Sequence, residues 1–125
     1  MRALLDTSVL ISEEPVVGVE AAISVVSLTE LHFGALLATD EEERARRLDR
    51  LAAAEATFDP LPVTIEVARE WGRLAAAVAR RGGKPRRRQI DLAIAATAVV
   101  EGVPLLTYDV ADQRIVEDLV EARLP

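Results

Sequence analysis

The chain has 125 residues, half of them hydrophobic but only 3% aromatic, with a net charge of −6. That length suits one domain, the apolar share excludes a disordered chain, and no apolar run reaches the roughly 18 residues a membrane helix requires. Without cysteine there can be no disulfide, thiolate metal site or cysteine nucleophile, and a single basic residue before Asp6 makes a poor secretory leader, so the expected location is the cytoplasm.

In chain order, residues 3–5 read as a short buried strand ending at Asp6. Residues 8–12 have the length of a short helix, stopped by Glu14-Pro15. Residues 21–26 form a second apolar, β-branched run of strand length. Ser27-Leu28-Thr29-Glu30 has the S-x-x-E form of a capping box and is expected to open a helix. Thr39-Asp40-Glu41-Glu42 repeats the signal before a helix over residues 44–54, with Ala45, Leu48 and Ala52 expected on its inner face. Pro60 and Pro62 interrupt. Val67, Trp71, Leu74 and Val78 then give the stripe of a third helix, closed by Gly82-Gly83.

Residues 91–100 are apolar on every side of a helix, which predicts a central, buried one. Gly102 and Pro104 punctuate, residues 105–107 read as a strand, and residues 112–123 as a final helix with only a weak signal for a closing strand. Strands alternating with helices imply an α/β fold, a parallel sheet covered on both faces, with residues 1–125 as a single domain. Functional crevices in such folds lie beyond the carboxyl ends of the strands. Asp6 and Asp109 fall there, and Glu30 falls in the first turn of the helix after another strand.

Each acid has an ordinary alternative. Asp6 can cap a helix, Glu30 can complete its capping box, Asp91 can cap the buried helix or pair with Arg86, Arg87 or Arg88, and Asp109 or Asp112 can close a turn. Asp91 is the hardest to explain away, because an ionised carboxylate opening a helix buried all round is costly unless paired or bound to a cation. Carboxylates that share a site repel one another and so call for a cation or raised pKa values. With no cysteine and only His32, expected in a partly buried helix position, hard oxygen ligands point to Mg2+ or Mn2+. The net charge opposes nucleic acid, yet six of the fifteen basic residues fall between Arg80 and Arg88. That run is either a solvated loop or a hold for phosphate beside an acidic site.

MRALLDTSVLI, VVSLTELHFG and IDLAIAATAVVEGVPLLTYD, taken together, resemble the PIN-domain family, and within it the VapC-type toxins. The resemblance runs along nearly the whole chain. It implies a three-layer α/β/α domain with a parallel sheet of four or five strands. It assigns catalytic and metal-holding roles to Asp6, Asp91 and Asp109, with Glu30 binding directly or through water, and gives Ser8 and Thr107 supporting hydroxyls. Where such toxins often read Thr-Arg-Asn-x-x-Asp-Phe, this chain has Thr107-Tyr108-Asp109-Val110-Ala111-Asp112-Gln113, so Asp112 is the alternative fourth acid.

The activity implied is Mg2+- or Mn2+-dependent endoribonucleolytic cleavage of tRNA, rRNA or mRNA. Arg86 to Arg88, with Arg44, Arg46 and Arg47, would hold the RNA backbone. The implied partners are a second copy and a VapB-type antitoxin, in a heterotetramer or larger assembly. A processing nuclease without antitoxin, or a catalytically silent binding module, are the competing forms. A haloacid-dehalogenase-like phosphatase would need a second aspartate where Ser8 stands. A receiver domain would need a lysine at its last strand, and Lys84, the only lysine, falls in a loop.

Overall fold

In the computed structural model, which describes residues 1–125, β1 (Arg2–Leu5) is an inner strand pairing in parallel with β2 (Glu20–Ala22) and β3 (Leu105–Leu106). β3 pairs in parallel with β4 (Ala122–Arg123), so the order is β2-β1-β3-β4. Successive strand residues point to opposite faces, and the core divides accordingly. Leu4 and Leu105 pack with Val67, Leu74 and Val78 of α4 (Ile65–Arg80) and with α5 (Gln89–Glu101). Leu5 and Leu106 pack on the other face with Ile23 and with Val9 of α1 (Thr7–Leu10). A smaller cluster joins Leu31 of α2 (Val25–Leu36) to Leu51 and Ala54 of α3 (Glu41–Thr57). This is the three-layer α/β/α arrangement with four parallel strands. No helix is long and apolar enough to cross a membrane.

The expected stripe on α4 is inward, with Trp71 partly buried against it, and α5 is buried from Leu92 through Ala98. Three expectations are corrected. The second strand is shorter than residues 21–26, because α2 begins at Val25 with Ser24 as its cap rather than Ser27. Ser24 also forms a parallel bridge to Leu61, whose N–H donates to the Ile23 carbonyl over 2.9 Å. On α3, Ala45, Leu48 and Ala52 face solvent while Leu51 and Ala54 turn inward. In a stretch this rich in alanine the two faces differ little in hydrophobicity, and contact with Leu31 decides between them. Residues 112–123 do not form one helix. Residues Val110–Val116 make a 3-10 helix and the chain then closes the sheet as β4. The exposed edge of β3 is satisfied this way: Leu105 N–H donates to Glu121 O (2.8 Å) and Thr107 N–H to Arg123 O (2.9 Å).

Gly82, at φ 85°, turns the chain out of α4, and Gly83 follows where there is no room for a side chain. A Cβ at Gly83 would stand 2.6 Å from Val78 Cγ1 and 2.7 Å from Ile115 Cδ1. Gly72, exposed within α4, would meet nothing within 4 Å. Gly83→Ala should therefore lower stability by about 1–3 kcal/mol, while Gly72→Ala should raise it by up to about 1 kcal/mol. Urea titration of both variants checks the opposite signs.

Candidate active site

Asp6 leaves the carboxyl end of β1 and occupies the backbone cap position of α1, where its carbonyl accepts from Val9 N–H (3.0 Å). Its carboxylate makes no capping bond. Oδ2 instead accepts from Ser8 Oγ (2.9 Å) and Thr107 Oγ1 (2.8 Å). The side chain is only 7% exposed and has no cationic partner. Thr107 is fully buried at the end of β3, beside Asp6 because Leu5 pairs with Leu106. The Thr107 hydroxyl also accepts from Asp109 N–H (2.9 Å), and Ser8 Oγ accepts from Tyr108 N–H (3.1 Å). Two hydroxyls thus lock the ends of β1 and β3 around one carboxylate oxygen.

Glu30 is not spent on a capping box. Ser24 caps α2 by accepting from Val26 N–H (3.0 Å), which places Glu30 past the first turn. Its carboxylate accepts from Thr7 Oγ1, and the buried Ser27 hydroxyl lies 3.1 Å from that same Thr7 oxygen. Sequence reasoning passed over Thr7 and Ser27 as functional residues. The available signal was two hydroxyls, one directly after Asp6 and the other one turn before Glu30, but only the fold joins them.

Asp91 lies in the first turn of α5, half-buried, one position before the fully enclosed stretch. Arg88, not Asp91, holds the backbone cap position. Burial pushes the Asp91 carboxyl up to about 6, assisted by the charges of Asp6, Glu30, Asp112 and Asp109. Asp109, at the lip of the crevice, is likewise held above the ordinary carboxylate range by desolvation and by Asp6 and Asp112.

The five acids picked from the sequence lie near enough to one another that Asp6, Glu30, Asp109 and Asp112 all act on Asp91. No three of them converge closely enough to make a ready-formed cation site. The alternative pairing of Asp91 with the basic run is not formed: Arg88 donates to the Asp112 carbonyl and stands 3.7 Å from its carboxylate. Asp112 thus has a cation beside it, and Asp109 has none. Arg86 and Arg87 are exposed on the 3-10 turn Pro85–Arg88 that leads into α5. Arg44, Arg46 and Arg47 pair with Glu41 or Glu43 on their own helix. His32 is exposed and 3.3 Å from Glu55, with no part in the crevice.

The family model for the PIN domain matches residues 3–117, nearly the full span of the sheet and its helices. The chain belongs to the PIN-domain family. Among relatives, it is 40% identical over 115 residues to ribonuclease VapC4 of Mycobacterium tuberculosis, covering 86% of each chain. It is 37% identical over 113 residues to ribonuclease VapC5 of the same organism, covering 85% of this chain and 82% of the relative. The crystal structure of VapBC-5, a toxin–antitoxin system of M. tuberculosis, superposes with a TM-score of 0.80 at 33% identity, over 98% of this chain and 96% of that one.

In this PIN domain the acidic crevice makes a definite demand on pH. Asp91 binds its proton more tightly in the folded than in the unfolded chain, where the ordinary value is 3.8. Its contribution to stability is therefore full below pH 3.8 and is lost as pH rises to about 6. In buffer free of divalent cations, Asp91→Asn should melt higher than wild type at pH 7.5, with the difference shrinking toward pH 4. A melting difference that stays constant from pH 4 to 7.5 would show that its neighbours do not strain Asp91.

Proposed function

We propose that this PIN domain is a metal-dependent endoribonuclease, the toxin half of a VapBC-type type II toxin–antitoxin pair acting in the cytoplasm on tRNA, rRNA or mRNA. One observation carries the reading: Asp91 sits half-buried among four other carboxylates with no cation of the protein beside it. The ribonuclease names of relatives at 40% and 37% identity support the reaction class. The VapBC-5 neighbour supports the antitoxin partner.

The donor set fits a hard divalent cation. It is all oxygen, cysteine is absent, and the single histidine lies elsewhere. Asp6, Asp91 and Asp109 would hold Mg2+ or Mn2+, with Glu30 direct or through water; Asp112, beside Arg88, is the lesser candidate. Bound there, such a cation lowers the pKa of a water and offsets charge gathering on the reacting phosphate.

The remaining work belongs to the chain. Ser8 and Thr107 occupy Asp6 Oδ2 and leave Oδ1 without a protein donor. Thr7 orients Glu30. Asp91, raised to about 6 in the metal-free chain, must release its proton to hold a cation, so cation binding should weaken as pH falls through that range. Arg86 and Arg87, exposed and free of ion pairs, would draw the RNA backbone to an otherwise repelling surface.

Phe33, Leu36 and Leu37 present one exposed apolar face of α2, being 63%, 75% and 59% exposed. We assign that face to a VapB-type antitoxin, within a homodimer-based heterotetramer or larger assembly.

Purified protein should cleave RNA only with Mg2+ or Mn2+. Asp6→Asn and Asp91→Asn should each lose more than roughly 100-fold while staying folded. Thr107→Val should lose about 10- to 100-fold, as residues that orient a metal ligand do. Wild-type rates in either aspartate variant would overturn the assignment. Independently of activity, Mg2+ should raise the melting temperature more at pH 7.5 than at pH 5, and should do so only weakly in Asp91→Asn.

A further inference from the structure

A cavity of about 450 Å3 opens between α2 and α3, directly beside the acidic crevice. Thr7 and Glu30 form the end it shares with that crevice, and Arg47 and Arg50, one turn apart on α3, line its other wall. The two arginines are not equivalent. Arg47 is committed, with Nε donating to Glu43 (2.7 Å) and Nη1 to the Gly34 carbonyl (2.7 Å). Of the four arginines on α3, Arg44, Arg46 and Arg47 have carboxylate partners on their own helix. Arg50 has none, because three and four residues away on either side stand Arg46, Arg47, Ala53 and Ala54. Its guanidinium is left with its donors unused beside a mixed polar cavity in a protein of net charge −6.

Gly34 is the second observation. It lies in the last turns of α2, its backbone is not left-handed, and a Cβ there would meet nothing within 4 Å. Neither backbone strain nor close packing calls for glycine, and glycine weakens a helix. What its missing side chain does is keep the cavity open.

We propose that this cavity is a subsite for the RNA backbone, with Arg50 binding a phosphate adjacent to the one that reaches the carboxylates. This rests on the ribonuclease reading and gives it a direction: the strand runs from the acidic crevice into the cleft between α2 and α3. A guanidinium is suited to a phosphodiester by charge and by its planar pair of donors. Ile11, the exposed one of the two apolar linings, offers surface to sugar or base.

The test measures binding of a short, labelled, mixed-sequence single-stranded RNA to the full chain in EDTA, across about 50 to 200 mM salt. Arg50→Ala should weaken binding about tenfold and flatten the salt slope by about 0.7, the loss of one phosphate contact. Arg50→Lys should keep the slope. Gly34→Leu should weaken binding with no change of charge, its fold checked by thermal melting, and Arg69→Ala, an exposed arginine on α4, should bind as wild type. The proposal is overturned if Arg50→Ala binds RNA normally, if Arg69→Ala loses as much, or if Arg50→Ala weakens only the co-expressed antitoxin. Wild type that neither binds nor cleaves RNA would sink the ribonuclease reading as well. Wild type that cleaves RNA beside a normally binding Arg50→Ala would sink this subsite alone.

Discussion

The register of β1 against β3, with Leu4 opposite Leu105 and Leu5 opposite Leu106, brings Asp6 and Thr107 out of the sheet side by side. Parallel strands end at the same edge, so the turns that follow them gather there without further instruction. The turn after β1 delivers Thr7 and Ser8, and the turn after β3 delivers Tyr108 and Asp109. The same pairing divides the core into two faces and leaves α5 enclosed on one of them. Shifting β3 by one residue would send Leu105 and Leu106 to the wrong layers and separate Thr107 from Asp6. The hydrophobic core and the acidic crevice are therefore specified by one set of contacts.

The crevice concentrates negative charge that the protein does not neutralise. Half of the fourteen arginines are tied up in ion pairs, among them Arg44, Arg46 and Arg47 of α3 with glutamates one turn away, Arg81 with Asp118, and Arg88 with Asp112. Asp6 is buried with two neutral hydroxyl donors, and Asp91 is half-buried with none. An arrangement of this kind costs stability in the ionised state, as the raised value of Asp91 records. Such cost is common where function requires charge to be displaced by something from outside.

Hydroxyl side chains organise the acids without competing for their charge. Ser8 and Thr107 converge on one oxygen of Asp6, while Thr7, with the Ser27 hydroxyl beside it, donates to Glu30. A salt bridge would have fixed the same carboxylates more strongly but would have cancelled the field they create. Neutral donors orient a ligand and leave its charge available.

The sequence by itself determined the fold class, the buried α5 and the stripe of α4, which follow from hydrophobic periodicity, a local property. It singled out Asp91 by the expense of a carboxylate at the head of an apolar helix, and the other acids by their place near strand ends and by resemblance to the PIN-domain family. Tertiary structure decided what local signals left tied. The capping-box pattern points to Ser27, but the chain pairs with Leu61 at Ser24 and α2 is capped there, which releases Glu30 from its box. The inward face of α3 depends on Leu31, and β4 forms because β3 has an edge to satisfy. Arg88 goes to Asp112 rather than Asp91, and Thr7 finds Glu30 across 23 residues. Each of these is a contest between alternatives of nearly equal local energy, and only a contact distant in sequence breaks the tie.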